Sequence, residues 1–257
     1  MSASYSRCGR SVMCGITVCS LVLTNSVVIG QSKKERASNE KETKMIDDIA
    51  NRNAPPKKVQ GDGPTIPLFP KDYDWKEQAR VVEALGRLEK ESYAELWEEL
   101  VQKSDDNRYS LTIRDKSSDA PYNESVGVFC SELAFWQLTG VFLRHLPDNP
   151  TPGKNGRSIR LTIVPRSSLK KWREERKNKS LYELQIEIGE LMIKELAKVK
   201  TATEEEKNKA HKKIEAEIAT LKKSKKPIML KTRTSAFDAL YDSKEAVRFR
   251  KRLGIGK

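Results

Sequence analysis

Hydrophobic and polar positions divide the chain into four regimes. After Arg7 and Arg10, the stretch from Ser11 to Ile29 carries no charge and is apolar or small. From Gln31 to Pro70 the chain turns polar and holds Ala54-Pro55-Pro56 and Gly61-Asp62-Gly63-Pro64. So few large apolar groups cannot offset the entropy of ordering, and the composition predicts a disordered linker over 31–70 with at most a turn of helix at Met45, Ile46 and Ile49. Helical spacing begins after Asp74, with Trp75, Ala79, Val82, Leu85 and Leu88 on one face, and Ser92 with Glu95 predicts a capping box for a second helix through Leu96, Trp97 and Leu100. Tyr109, Leu111 and Ile113 alternate with polar residues, the period of a strand. Ser125 to Leu146 is apolar on most of its circumference, broken by Glu132, Gln137 and Arg144, and predicts a central core helix. A second strand is predicted at Ile159, Leu161 and Ile163.

Beyond Pro165 the period is again helical. Trp172 sits in a basic helix, Ser180 and Glu183 form a capping box before Leu184, Ile188, Leu191 and Met192, and Thr203 and Glu206 form another. The narrow seam Ala210, Ile214, Ile218 and Leu221 predicts a helix that pairs with its predecessor as a projecting hairpin, with Ile228-Met229-Leu230 as an edge strand and a short basic helix after Phe237. The fold class expected is α+β: a mainly helical core domain over 71–200 with a small two- or three-stranded sheet, and a basic helical extension over 201–257. Leu111-Thr112-Ile113 echoes Leu161-Thr162-Ile163, which is open to two readings, a duplicated strand-helix unit or chance among common residues.

The uncharged stretch behind two arginines has the order of a signal peptide, with cleavage expected before Gln31, and the chain is expected to be exported. An uncleaved anchor is the competing reading, and Thr17, Ser20, Thr24, Asn25 and Ser26 make the stretch a mediocre span. Cys8, Cys14 and Cys19 lie in that leader, so Cys130 alone remains in the mature chain and no internal disulfide can form.

Charge changes the picture further. Residues 31–165 hold 21 basic and 22 acidic groups, whereas 166–257 hold 26 and 14. Within that basic third, Lys170, Lys171, Trp172, Arg173, Arg176 and Lys177 interleave an aromatic with cations, as do Arg248, Phe249, Arg250, Lys251 and Arg252. These are the anion-binding candidates. Export makes nucleic acid an unlikely partner and points to an anionic envelope polymer, lipid headgroups or an acidic protein. The competing reading is a solvated surface neutralised by neighbouring acids such as Glu174 and Glu175.

Candidate chemistry is sparse. Two histidines, His145 and His211, and one cysteine cannot assemble a three- or four-ligand zinc site, and no cofactor or metal is expected. Cys130 and His145 on one helix would stand about 22 Å apart, too far for a nucleophile–base pair. No Gly-x-Ser-x-Gly elbow accompanies either histidine. Glu132, a carboxylate within an apolar helix, is the residue on which a carboxylate-dependent hydrolase would rest, unless it takes the helix's solvent stripe or an arginine partner.

The leader and tether, Asp74-Trp75 through Trp97, Asn123-Glu124-Ser125-Val126-Gly127 and Lys179-Ser180-Leu181-Tyr182-Glu183-Leu184-Gln185 resemble an uncharacterised secreted family of planctomycete bacteria over residues 74–198. The resemblance implies export and a bacterial source, and carries no activity or site residues. The function expected is that of an exported, non-catalytic envelope protein whose basic third contacts an anionic surface or partner, with the Glu132 hydrolase as the alternative.

Overall fold

In the computed structural model, which describes residues 33–60, 65–91, 93–114, 120–147, 169–199, 202–230 and 240–255, the core of the described residues is built around their most apolar helix. The elements in chain order are α1 (Lys33–Asp47), β1 (Lys57–Val59), β2 (Ile66–Leu68), α2 (Trp75–Lys90), α3 (Ala94–Gln102), β3 (Tyr109–Arg114), β4 (Pro121–Ser125), α4 (Val126–Leu143), α5 (Leu169–Glu174), α6 (Leu181–Leu196), α7 (Glu204–Ser224) and α8 (Ser243–Arg252). The fold is α+β and mainly helical, with two antiparallel two-stranded sheets, β1–β2 and β3–β4. Leu240 adds an isolated bridge to Ile113.

Ser125 caps α4 by accepting a bond from the Val128 N–H at 3.3 Å. α4 is long and apolar enough to cross a membrane, and 78% of that stretch is covered by the rest of the fold, which makes it a core helix. α3 and α6 pack directly on it. Trp97, fully buried on α3, donates from its indole nitrogen to the Ala134 carbonyl at 2.9 Å. α7 lies along α6 with Ala210, Ile214, Ile218 and Leu221 buried. Gly189 marks the meeting of α4, α6 and α7: a Cβ there would fall 2.8 Å from Phe142 and 2.9 Å from Ile218. A second, aromatic cluster of Phe69, Tyr73 and Tyr241, flanked by Trp75 and Phe249, holds α8 against β2.

The segment expected as a linker is ordered wherever it is described. It supplies α1, β1 and β2, and Ile46 and Ile49 are fully buried in the main core. The reason lies in distant partners. Arg80 of α2 donates to the carbonyls of Asp48 (2.7 Å) and Ala50 (2.8 Å), just beyond the last turn of α1. Ser110 donates to the Ile49 carbonyl at 2.8 Å, and Asn51 donates from its backbone to Tyr109 and from its side chain to Ser110. No local window of sequence contains these pairs.

Other expectations are corrected as well. α3 begins after Tyr93, which makes no side-chain cap bond, and Ser92 lies outside the described residues. Residues 121–125, read as turn and helix start, form β4. Residues 228–230 are not a strand. They run extended against two buried glutamines: Gln185 accepts from the Ile228 N–H (2.9 Å) and donates to its carbonyl (2.8 Å), and Gln137 treats Leu230 in the same two-way manner. The described residues from 202 onward thereby join the same compact unit as those of 33–199. The leader, the strand expected at 159–163 and with it the echo of 111–113 fall outside the described residues.

Candidate anion-binding faces

The cations singled out around Trp172 are largely spent inside the fold. Lys170 reaches Asp105 at 2.8 Å, and this bond holds the Asp105 carboxyl below its ordinary range. Arg173 forks onto Glu98 at 3.0 and 2.8 Å, donates to the Arg176 carbonyl at 2.6 Å and lies 5.8 Å from the Trp97 ring centre. Arg176 stacks 4.4 Å over Trp172 and bonds Glu187 at 2.8 Å. Trp172 itself is buried, so it is a core side chain and offers no stacking platform. Lys177 faces Glu174 at 3.6 Å. Lys171 remains exposed, with no ionic partner among the described residues.

The second candidate cluster divides by face. Arg250 turns inward and donates to the Phe69 carbonyl, while Phe249 packs edge-on to Tyr241 at 6.0 Å. Arg248, Lys251 and Arg252 are exposed on the outer face of α8, together with Lys244 and the exposed side chain of Val247, and none of these four cations has an ionic partner among the described residues. The α8 cap is a reciprocal pair in which the Glu245 N–H bonds the Asp242 carboxylate at 2.8 Å and the Asp242 N–H bonds the Glu245 carboxylate at 3.2 Å.

A larger free face lies on α7, which the aromatic-cation pattern does not mark. Lys209, Lys212 and Lys213 stand at i, i+3 and i+4, and Lys223, Lys225 and Lys226 follow at the end of the helix. All six are exposed, and none is ion-paired among the described residues. Four of the five acids of α7 are engaged, and the fifth, Glu205, is exposed four residues before Lys209 on this face. Glu206 closes the cap with Thr203, Glu204 holds Lys207, Glu215 faces His211, and Glu217 binds Arg144 (2.6 Å) and His145 (3.0 Å) at the end of α4. Between the two lysine groups Ala216, Ala219 and Thr220 are exposed along this face, with exposed Glu215 and Lys222 beside them. Lys225 adopts a left-handed conformation, φ 53°, which turns the chain away from the helix axis at the end of this face.

Glu132 is half-buried, and Glu124, on the adjoining strand, has its carboxyl pushed up by burial and by the charge of Glu132. Three cavities can be described, and Glu132 lines none of them. One, of ≈ 10 Å³ between Trp97, Leu133 and Met229, has room for about one water. A second, of ≈ 360 Å³, is bordered by Asp72, Asp74, Glu77 and Arg52, and a third, of ≈ 340 Å³, by α1 and α2. Cys130 is fully buried, and that burial pushes its thiol pKa up, so it is no nucleophile. Among the described residues no three His, Cys, Asp or Glu side chains gather as metal ligands would. No family model, curated protein or solved structure matches the chain.

Proposed function

We propose that this is an exported, non-catalytic binding protein of the cell envelope, and that the lysine face of α7, assisted by the outer face of α8, binds a linear anionic polymer. The observation that carries the reading is the set of six exposed lysines on and just after α7 without ionic partners among the described residues, whereas most of the cations around Trp172 are paired with acids. At ~1.5 Å per residue, Lys213 and Lys223 stand about 15 Å apart along the axis. Two cationic groups at that separation suit a chain of repeated negative charges better than a single small anion. Small residues between them let such a chain lie close to the helix. The uncharged stretch behind Arg7 and Arg10, read as an export signal, favours an envelope polymer over nucleic acid.

The test uses long-chain polyphosphate as probe, titrated into the full-length protein at rising salt. Binding should weaken steeply as salt screens the lysines. Lys209→Glu/Lys212→Glu/Lys213→Glu should lower affinity at least tenfold with the melting temperature unchanged. Undiminished affinity in that variant, or no binding at low salt, overturns the reading. Binding to phosphatidylglycerol vesicles in preference to polyphosphate would overturn the polymer assignment in favour of a lipid surface.

A further inference from the structure

The groove between α1 and α2 sets cations around a small apolar floor. α1 leans chiefly on α3 and only touches α2, which leaves a cleft of ≈ 340 Å³ between them. That size lies at the low end of the ~300–1,000 Å³ range typical of small-molecule sites. Met45 and Ala84 form its apolar floor, and Lys41, Lys44, Arg87 and Lys90 stand around it. Two acids also border it, Asp48 and Glu91, so cations prevail. These cations are weakly engaged. Lys44 and Lys90 have no ionic partner among the described residues, Arg87 reaches only exposed Glu83 at 3.9 Å, and Lys41 lies 5.6 Å from the centre of the Tyr93 ring. The cavity of similar size beside Tyr73 has the opposite character, with Asp72, Asp74 and Glu77 against Arg52.

We infer that the α1–α2 groove is a binding site for a single-chain amphiphilic anion, a fatty-acid-like carboxylate whose hydrocarbon lies on Met45 and Ala84 while its headgroup meets Lys44 and Lys90. Burying an alkyl chain there yields about 0.8 kcal/mol per methylene covered, and the lysines discriminate against a neutral headgroup of the same length. The groove lies on elements other than the polymer-binding face and stands or falls independently of it.

Isothermal titration of the full-length protein with dodecanoate, below its micelle-forming concentration, tests this. Saturable one-to-one binding is expected, with dodecan-1-ol at least tenfold weaker. Lys44→Glu/Lys90→Glu should weaken dodecanoate at least tenfold. Lys41→Glu should weaken it severalfold, a reading from a third position that also alters only an exposed side chain. The α7 triple variant should bind dodecanoate as the unaltered protein does. No saturable heat, equal affinity for the alcohol, insensitivity to the groove substitutions, or loss of binding in the α7 variant alone would each overturn the assignment.

Discussion

Arg173 and Lys212 have the same charge and opposite surroundings. The Arg173 side chain is 13% exposed, forked on Glu98 and set against Trp97, whereas Lys212 projects from α7 with no acid to meet it. Removing Arg173 strips Glu98 of its partner and uncovers part of the Trp97 ring, so Arg173→Ala should cost about 1–2 kcal/mol of stability. Its polyphosphate affinity should stay within twofold of the unaltered protein. Lys212→Glu should do the reverse, leaving the urea midpoint in place and weakening binding severalfold. Urea titration and polyphosphate titration of the two variants side by side check both statements. The sequence shows cations beside an aromatic at 170–177, but the acid that neutralises Arg173 is 75 positions away. Interleaving of aromatic and basic residues at 170–177 therefore marks a helix packed on acidic neighbours, while six exposed lysines without ionic partners among the described residues lie on and just after α7, which has no aromatic.

At the scale of elements, legibility follows the range of the interactions. α4, α6 and α7 each bury a stripe or a circumference that the sequence displays, and the caps at Ser125, Ser180 and Thr203 are local in sequence, whereas α2 turns Val81 and Ala84 inward with Leu85 and Leu88 and leaves Ala79 of the expected face exposed. α1 is different. Its attachment depends on two isoleucines and on the Arg80 guanidinium, which Glu77 holds in place at 2.7 and 2.8 Å. The hydrogen bonds from Arg80, outweighing burial, hold the Glu77 carboxyl at about 2 against an ordinary 4.5. The bound form is the ionised one, so the stabilisation is fully present above pH 4.5 and is lost as the pH falls from 4.5 towards 2. Its size is on the order of 2 kcal/mol. Glu77→Gln should lower the melting temperature at pH 7, and its curve should converge on that of the unaltered protein as acid neutralises Glu77. Parallel curves down to pH 2 would show that the clamp is not electrostatic.

For the whole molecule, the division of charge between the two parts of the chain is visible in the sequence, but the division into domains drawn from it is not what the packing supports. The basic third supplies α6 and α7 to the main core and α8 to the aromatic cluster. Gln137 and Gln185, 3% and 0% exposed, have their amides matched to the backbone of residues 228–230. A chain ending at residue 200 would strip the Gln137 amide of its bonds to Leu230, leave Gln185 only its bond to the Gln137 carbonyl, and uncover the faces of α4 and α6 that meet α7. Each unsatisfied buried polar group costs about 1–3 kcal/mol, and losing the Ile214, Ile218 and Leu221 contacts adds to that. The truncated chain should therefore unfold without a cooperative transition in urea, and Gln185→Leu in the full-length protein should lower stability by about 2 kcal/mol. A truncation that melts as sharply as the full chain would show that the glutamine seam is incidental and that the basic third is an appendage after all. If instead the truncation fails to fold, loss of binding on deletion carries no information about the lysines, because the scaffold is lost with them. Charge reversal on the outer face of α7 separates the two, since it changes the potential of the surface while every contact beneath it stays in place.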